Sequence, residues 1–174
     1  MDDGLSLYET QEGYSLGIHI TDAASLISPE GVLDFEAASR MATLYLPERT
    51  LSMLPRRLTE ELGSLSPGNP RQALSLLIRI DQNFEPTTWE LVPSIVKSHL
   101  RLTYEDVDKA LVERDITHWT KPLLLLESIG QKLRQRRLEV GALEFSRPEL
   151  KIHVESSKIV EVSVVPTPTP ARRL

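Results

Sequence analysis

The chain has 174 residues, 40% apolar and 26% charged, the balance of one ordinary folded domain and not of a disordered polypeptide. Its formal net charge of −5 argues against a stand-alone module that holds nucleic acid by bulk electrostatics, because such binders carry a basic surplus. Zero cysteines remove disulfides, thiolate metal sites and a cysteine nucleophile.

In chain order, residues 14–20 alternate and are rich in β-formers, and residues 5–8 supply a short partner across Gln11-Glu12-Gly13, which predicts a hairpin. Gly31 precedes a predicted helix over 33–44, with Leu33, Ala37, Met41 and Leu44 on one face. Residues 45–55 form an irregular segment pinned by Pro47 and Pro55, since the residue before a proline is pushed toward extended geometry. A short helix over 58–65 ends at the breaker cluster Ser66-Pro67-Gly68-Asn69-Pro70. Residues 73–80 and 88–97 read as two long strands joined around Asp81-Gln82-Asn83.

Thr103 with Asp106 has the form of a capping box and starts a helix to about Glu113. A longer amphipathic helix over about 121–138 is closed by Gly141. Residues 151–154 and 158–165 suggest a second hairpin around Ser156-Ser157, and residues 166–174 form a Pro-rich, extended tail. Helices and strands mix without strict βαβ alternation. The expected class is α+β, a mixed, largely antiparallel sheet packed by helices.

No apolar run approaches the roughly 20 residues a membrane span needs, and the acidic N-terminus lacks a signal-peptide pattern, so the cytoplasm is the expected compartment. The four histidines are scattered without i, i+3 or i, i+4 spacing, and no Gly-rich phosphate loop is present. His19, on an apolar strand, is expected to be a hydrogen-bonded core residue. Trp89 and Trp119 read as core or interface anchors. Lys132, Arg134, Arg136 and Arg137 either line a phosphate track or complement the negative end of the long helix; the second reading is favoured.

Asp2 and Asp3 are adjacent carboxylates whose oxygens suit Mg2+, although such a pair near a terminus is ordinarily solvated surface. Tyr45 reads as a core tyrosine ahead of a proline turn or as an exposed aromatic. Tyr104 stands on the first turn of a helix. Phe145 lies in a polar, Pro-bounded loop, where core and surface roles are evenly matched.

Residues 17–67, with Tyr45-Leu46-Pro47 and Met53-Leu54-Pro55 at their centre, resemble the catalytic domain of the ribonuclease II (RNB-type) family of 3′→5′ exoribonucleases. Asp2-Asp3-Gly4-Leu5 resembles the second half of that family's D-x-D-D cluster. Leu102-Thr103-Tyr104 and the stretch Gly141 to Glu149 resemble its L-x-Y-x-x-V and G-A-L-x-F-x-x-P-E segments. The resemblance implies a Mg2+-dependent hydrolase that degrades single-stranded RNA processively to nucleoside 5′-monophosphates. It assigns Asp2 and Asp3 to catalysis and metal binding. It assigns Tyr45 and Phe145 to gripping bases near the 3′ end, and Tyr104 to the ribose.

By the same resemblance, residues 1–165 correspond to the N-terminal half of the catalytic domain, and 166–174 lead into the other half. The OB-type RNA-binding domains, the earlier aspartates and an arginine-bearing segment are expected elsewhere in a parent protein, so the 174 residues alone are expected to be inactive. A non-catalytic RNA- or protein-binding member of the same fold is the alternative.

Overall fold

A computed structural model describes residues 2–46, 48–114, 119–145, 149–155, 158–165, 169 and 171. Strands β1 (Asp3–Thr10) and β2 (Gly13–Thr21) form the expected hairpin, paired from Asp3 opposite Ile20 to Thr10 opposite Gly13. Gly13 takes φ +146°, and a Cβ there would meet the Ile80 carbonyl oxygen at 2.2 Å, so the turn and its neighbour both require glycine.

Helix α1 (Val32–Arg40) is shorter than the apolar spacing predicts. Met41 adopts a left-handed φ of +60° as the C-cap, and Leu44 is already in strand geometry. The 3.6-residue pattern through Met41 and Leu44 therefore ends one turn early. Segment 45–55 is less irregular than its prolines suggest: β3 (Leu44–Tyr45) pairs with β4 (Thr50–Leu51). The Arg40 guanidinium donates to the Ser52 carbonyl oxygen at 2.9 Å, tying this small hairpin to the end of α1. The predicted helix over 58–65 is one turn of π-helical geometry, Arg57–Leu62.

Strands β5 (Pro70–Asp81) and β6 (Pro86–Lys97) complete an antiparallel sheet of order β1-β2-β5-β6. Pro93 sits within β6, at a sheet edge where a missing N–H is tolerated. Asp81 Oδ1 accepts from the amides of Asn83 and Glu85 at 2.8 and 2.9 Å and so shapes the β5–β6 turn. Helix α2 (Tyr104–Glu113) opens on the predicted capping box: Thr103 Oγ1 accepts from the Asp106 amide at 3.1 Å, and Asp106 Oδ2 accepts from the Thr103 amide at 2.9 Å. Helix α3 (Thr120–Glu139) ends ahead of Gly141, whose φ is +94°. Strands β7 (Glu149–Glu155) and β8 (Lys158–Val165) pair as expected, while their Ser156-Ser157 connection and the predicted polyproline run at 166–168 lie outside the described residues.

The core lies between one face of the sheet and α3. Leu16, Ile80 and Ile129 are buried there, with Leu7, Ile78, Leu126 and Leu133 packed around them. Tyr14 and Phe84 close one end with ring centroids 5.6 Å apart. Lys121 pairs with Glu9 at 2.7 Å, and Arg136 pairs with Glu85, so both ends of α3 are tied to the sheet. Beneath the opposite face lies the chain around Leu65, held by Thr21 Oγ1 donating to the Gly63 carbonyl oxygen at 2.5 Å. The architecture is α+β with an antiparallel main sheet. Trp89 is 72% exposed, so of its two readings, core and interface anchor, the core one falls.

Candidate functional site

Asp3 begins the edge strand β1, and the ladder runs one residue further: the Thr21 amide donates to the Asp2 carbonyl oxygen at 2.8 Å. Both acidic side chains are exposed at this end of the sheet. Neighbours on an extended chain point to opposite faces, so Asp3 leaves on the face of Ile20, and Asp2 turns toward that of Thr21. Asp22 follows next door, but its Oδ1 accepts from the Ser25 amide at 3.1 Å and shapes a turn. Among the described residues no group of three or more His, Cys, Asp or Glu side chains could hold a metal ion. Exposed carboxylates are the donors Mg2+ prefers, and one such ion commonly takes one or two of them and fills its shell with water. Asp2 and Asp3, on opposite faces of the strand end, each fit as one exposed carboxylate ligand of a hydrated ion and do not by themselves form a shared site.

Tyr45 projects from the β3–β4 hairpin and is 79% exposed, which overturns its reading as a core residue. The hairpin under it is fixed by Arg40 and by the Met53 amide donating to Thr43 Oγ1 at 3.0 Å. Its side chain therefore stands largely in solvent on a held backbone. Pro47, the other half of the motif, lies outside the described residues.

Phe145 is 80% exposed, beyond the end of α3. The segment leading to it is folded back by Ala142, whose amide donates to the Arg137 carbonyl oxygen at 2.9 Å. An ion pair between Arg134 and Glu144 then clamps the residue next to Phe145 against the helix. Sequence reasoning missed that role for Arg134. Arg136 is likewise engaged, by Glu85, and Arg136 and Arg137 occupy the last turn of α3, where cations oppose the helix dipole. The phosphate-track reading of this cluster finds no support in these pairings.

Tyr104 opens α2 and is 59% exposed. The capping box lies beside it, and the hydrogen bonds from the Thr103 backbone amide and hydroxyl hold the Asp106 carboxyl below its usual value. Asp3, Tyr45, Tyr104 and Phe145 thus stand on four separate segments, each with its side chain turned to solvent.

His19 is a buried, hydrogen-bonded residue as expected. Its Nδ1 lies 2.7 Å from Ser75 Oγ and its Nε2 lies 2.9 Å from Ser6 Oγ, and burial lowers its pKa from 6.5. The partners were not foreseen. The readable signal was Gly17, a glycine inside a strand, which marks a close approach.

Among the described residues no helix is long and apolar enough to cross a membrane. Comparison with known proteins gives a consistent picture. Human exosome complex exonuclease RRP44 is 35% identical over 161 residues, covering 90% of this chain and 16% of that protein. RNase R of Mycoplasma genitalium, solved in complex with ribose methylated single-stranded RNA, superposes with a TM-score of 0.88 at 22% identity, over 99% of this chain and 28% of that one. Yeast Ssd1, a pseudonuclease, shares the fold with a TM-score of 0.72 at 24% identity, over 79% of this chain and 17% of that one. The chain spans less than a quarter of the length of the curated relatives it matches. A model of the RNB domain matches residues 1–174, and the chain belongs to the RNB domain family.

Proposed function

We propose that the chain is part of a hydrolytic 3′→5′ exoribonuclease that degrades single-stranded RNA processively to nucleoside 5′-monophosphates, in the cytoplasm. The observation that carries this reading is that Tyr45 and Phe145, the most exposed of the Tyr and Phe side chains, stand on segments tied down by Arg40 and by the Arg134–Glu144 pair. Large aromatic rings standing free in water on fixed supports give up burial. They regain it by stacking on bases, which every base permits, at roughly 1–3 kcal/mol per base. Such a grip is blind to sequence, as a processive degrader requires. Tyr104, whose phenol hydroxyl can both donate and accept, is suited to a ribose 2′-OH, the group that distinguishes RNA from DNA.

Asp2 and Asp3 would supply the oxygen ligands of Mg2+, which polarises a phosphoryl oxygen and lowers the pKa of bound water when present. Both stand exposed at the end of β1, and the rings on the other segments would set which nucleotide arrives there. The OB-type domains and the remaining catalytic half, where the rest of the ligands and a charge-stabilising arginine are expected, would complete the parent protein.

The test is a product ladder on labelled single-stranded RNA with a longer protein carrying this chain, with and without EDTA. Stepwise release of 5′-mononucleotides that stops on chelation supports the proposal, and internal cleavage or no cleavage sinks it. A second reading, a non-catalytic RNA- or protein-binding member, is favoured by the shortage of metal ligands among the described residues. That reading gains if the same protein binds RNA and leaves its length unchanged.

A further inference from the structure

Ser6, His19, Ser75 and Ser94 lie on four adjacent strands and form one hydrogen-bonded row across the sheet. Ser94 Oγ lies 3.2 Å from the Ala73 carbonyl oxygen and 2.5 Å from Ser75 Oγ. Ser75 Oγ lies 2.7 Å from His19 Nδ1, and Ser6 Oγ lies 2.9 Å from Nε2. A neutral imidazole has one donor and one acceptor, so His19 donates to one of these two serines and accepts from the other, and either tautomer satisfies both ring nitrogens.

The near end of the row is on β1, the edge strand that carries the acidic pair. Between Asp3 and Leu7 that strand has few side-chain ties of its own. Asp3 and Leu5 are exposed, and Gly4 has no side chain. Gly17 faces Ser6 and leaves the space the contact needs. A Cβ there would stand 2.5 Å from Ser6 Oγ and 2.7 Å from His19 Nε2.

We propose that His19 is a positioning residue, which through this row pins the N-terminal end of β1 to the sheet and so fixes where Asp2 and Asp3 stand. The anchoring rests on geometry alone; its bearing on metal binding rests on the proposed role of the two aspartates. The row works with neutral imidazole, in agreement with the lowering of the His19 pKa by burial.

Nuclear magnetic resonance on the 15N-labelled chain separates these parts. Long-range 1H–15N correlations should show His19 neutral and held in a single tautomer; an imidazolium or an even mixture of tautomers overturns the row. The Thr21 amide, bonded to the Asp2 carbonyl oxygen, reports the end of β1 directly. Ser6→Ala should speed its exchange by roughly twofold to tenfold, the worth of one hydrogen bond, while amides between β2 and β5 keep their rates. Unchanged exchange at Thr21 overturns the proposal.

A longer side chain separates anchoring from packing. His19→Gln places an amide at the Nε2 position and should restore slow exchange at Thr21; His19→Asn reaches only toward Ser75 and should not. Equal losses in the two variants would make His19 a packing residue and nothing more. Mn2+ titration of the wild-type chain, read by line broadening at Asp2 and Asp3, tests the metal role apart from the anchor. If Mn2+ broadens those signals, Ser6→Ala should weaken it by roughly twofold to tenfold, and equal affinity overturns the positioning role. If Mn2+ does not, the metal reading falls and the tautomer and exchange data alone decide the anchor.

Discussion

Ser6 and Gly17 face one another across the β1–β2 ladder, and the serine hydroxyl occupies the volume where any larger residue at position 17 would put its first carbon. The backbone of Gly17 is ordinary extended chain. Space, not torsional freedom, makes the glycine necessary.

Gly17→Ala should therefore be among the costly substitutions in the chain. Overpacking the sheet contributes about 1–3 kcal/mol, and loss of the Ser6–His19 hydrogen bond adds about 1 kcal/mol. Urea unfolding followed by circular dichroism measures the sum. A matched control is Gly68→Ala, which meets open space and suffers only from its φ of +97°. Gly17→Ala should be the more destabilised; equal midpoints would mean that the sheet relaxes around the new methyl.

His19 gives the chain a predictable acid response. Its folded-state pKa is lowered from 6.5 by burial, so the unfolded chain binds more protons than the folded one in acid. Stability is full above about pH 6.5 and declines as the pH falls through that value toward the lowered one. Melting temperatures from pH 8 to about pH 5 should show the decline, and His19→Gln should flatten it. A wild-type profile that rises on acidification contradicts the burial argument.

Tyr45→Ala tests recognition without disturbing the fold. The ring is exposed, so the melting temperature should hardly move, a change within about 0.5 kcal/mol. In a longer protein carrying this chain, the hold on a short single-stranded RNA should weaken by about five- to hundredfold. The final degradation product should also be longer. A large drop in stability with unchanged product length would return Tyr45 to a structural role.

The 174 residues alone should release no mononucleotides from labelled poly(A) in Mg2+. Two carboxylates on opposite faces of one strand end do not assemble a two-ion site, and in-line displacement needs both the attacking and the leaving oxygen met by charge. Steady, EDTA-sensitive release would show that the described residues suffice. In the longer protein, Asp3→Asn should keep RNA binding and lose hydrolysis, the reverse of Tyr45→Ala.

Much of the fold was legible in the sequence because local chemistry wrote it. Strict alternation and Gly13 define the β1–β2 hairpin, the Asp81 turn joins β5 to β6, and Thr103 with Asp106 starts α2. Errors arose where a local signal met a tertiary decision. Met41 carries the apolar spacing of α1, yet its left-handed backbone ends the helix. Trp89 suggests core or interface because it is large, while burial in the core depends on whether another element covers it, and Trp89 stays 72% exposed. The site divides in the same way. Motif residues such as Tyr45 and Phe145 were readable one by one. The supports were not, because Arg134 with Glu144, and His19 with Ser6 and Ser75, meet only after the chain has folded.

Pro93 makes the two flanks of the main sheet unequal in how they meet other molecules. A proline is tolerated in β6 with its nitrogen turned away from the ladder, which leaves a gap in the row of donors on that side. An incoming strand would find the gap, and runaway strand addition at high protein concentration is resisted there. The β1 flank carries no such block, and there Asp3 provides repulsion between like copies. The acidic end of β1 therefore keeps the open edge from polymerising, and neutralising it should make the chain more prone to clumping during expression.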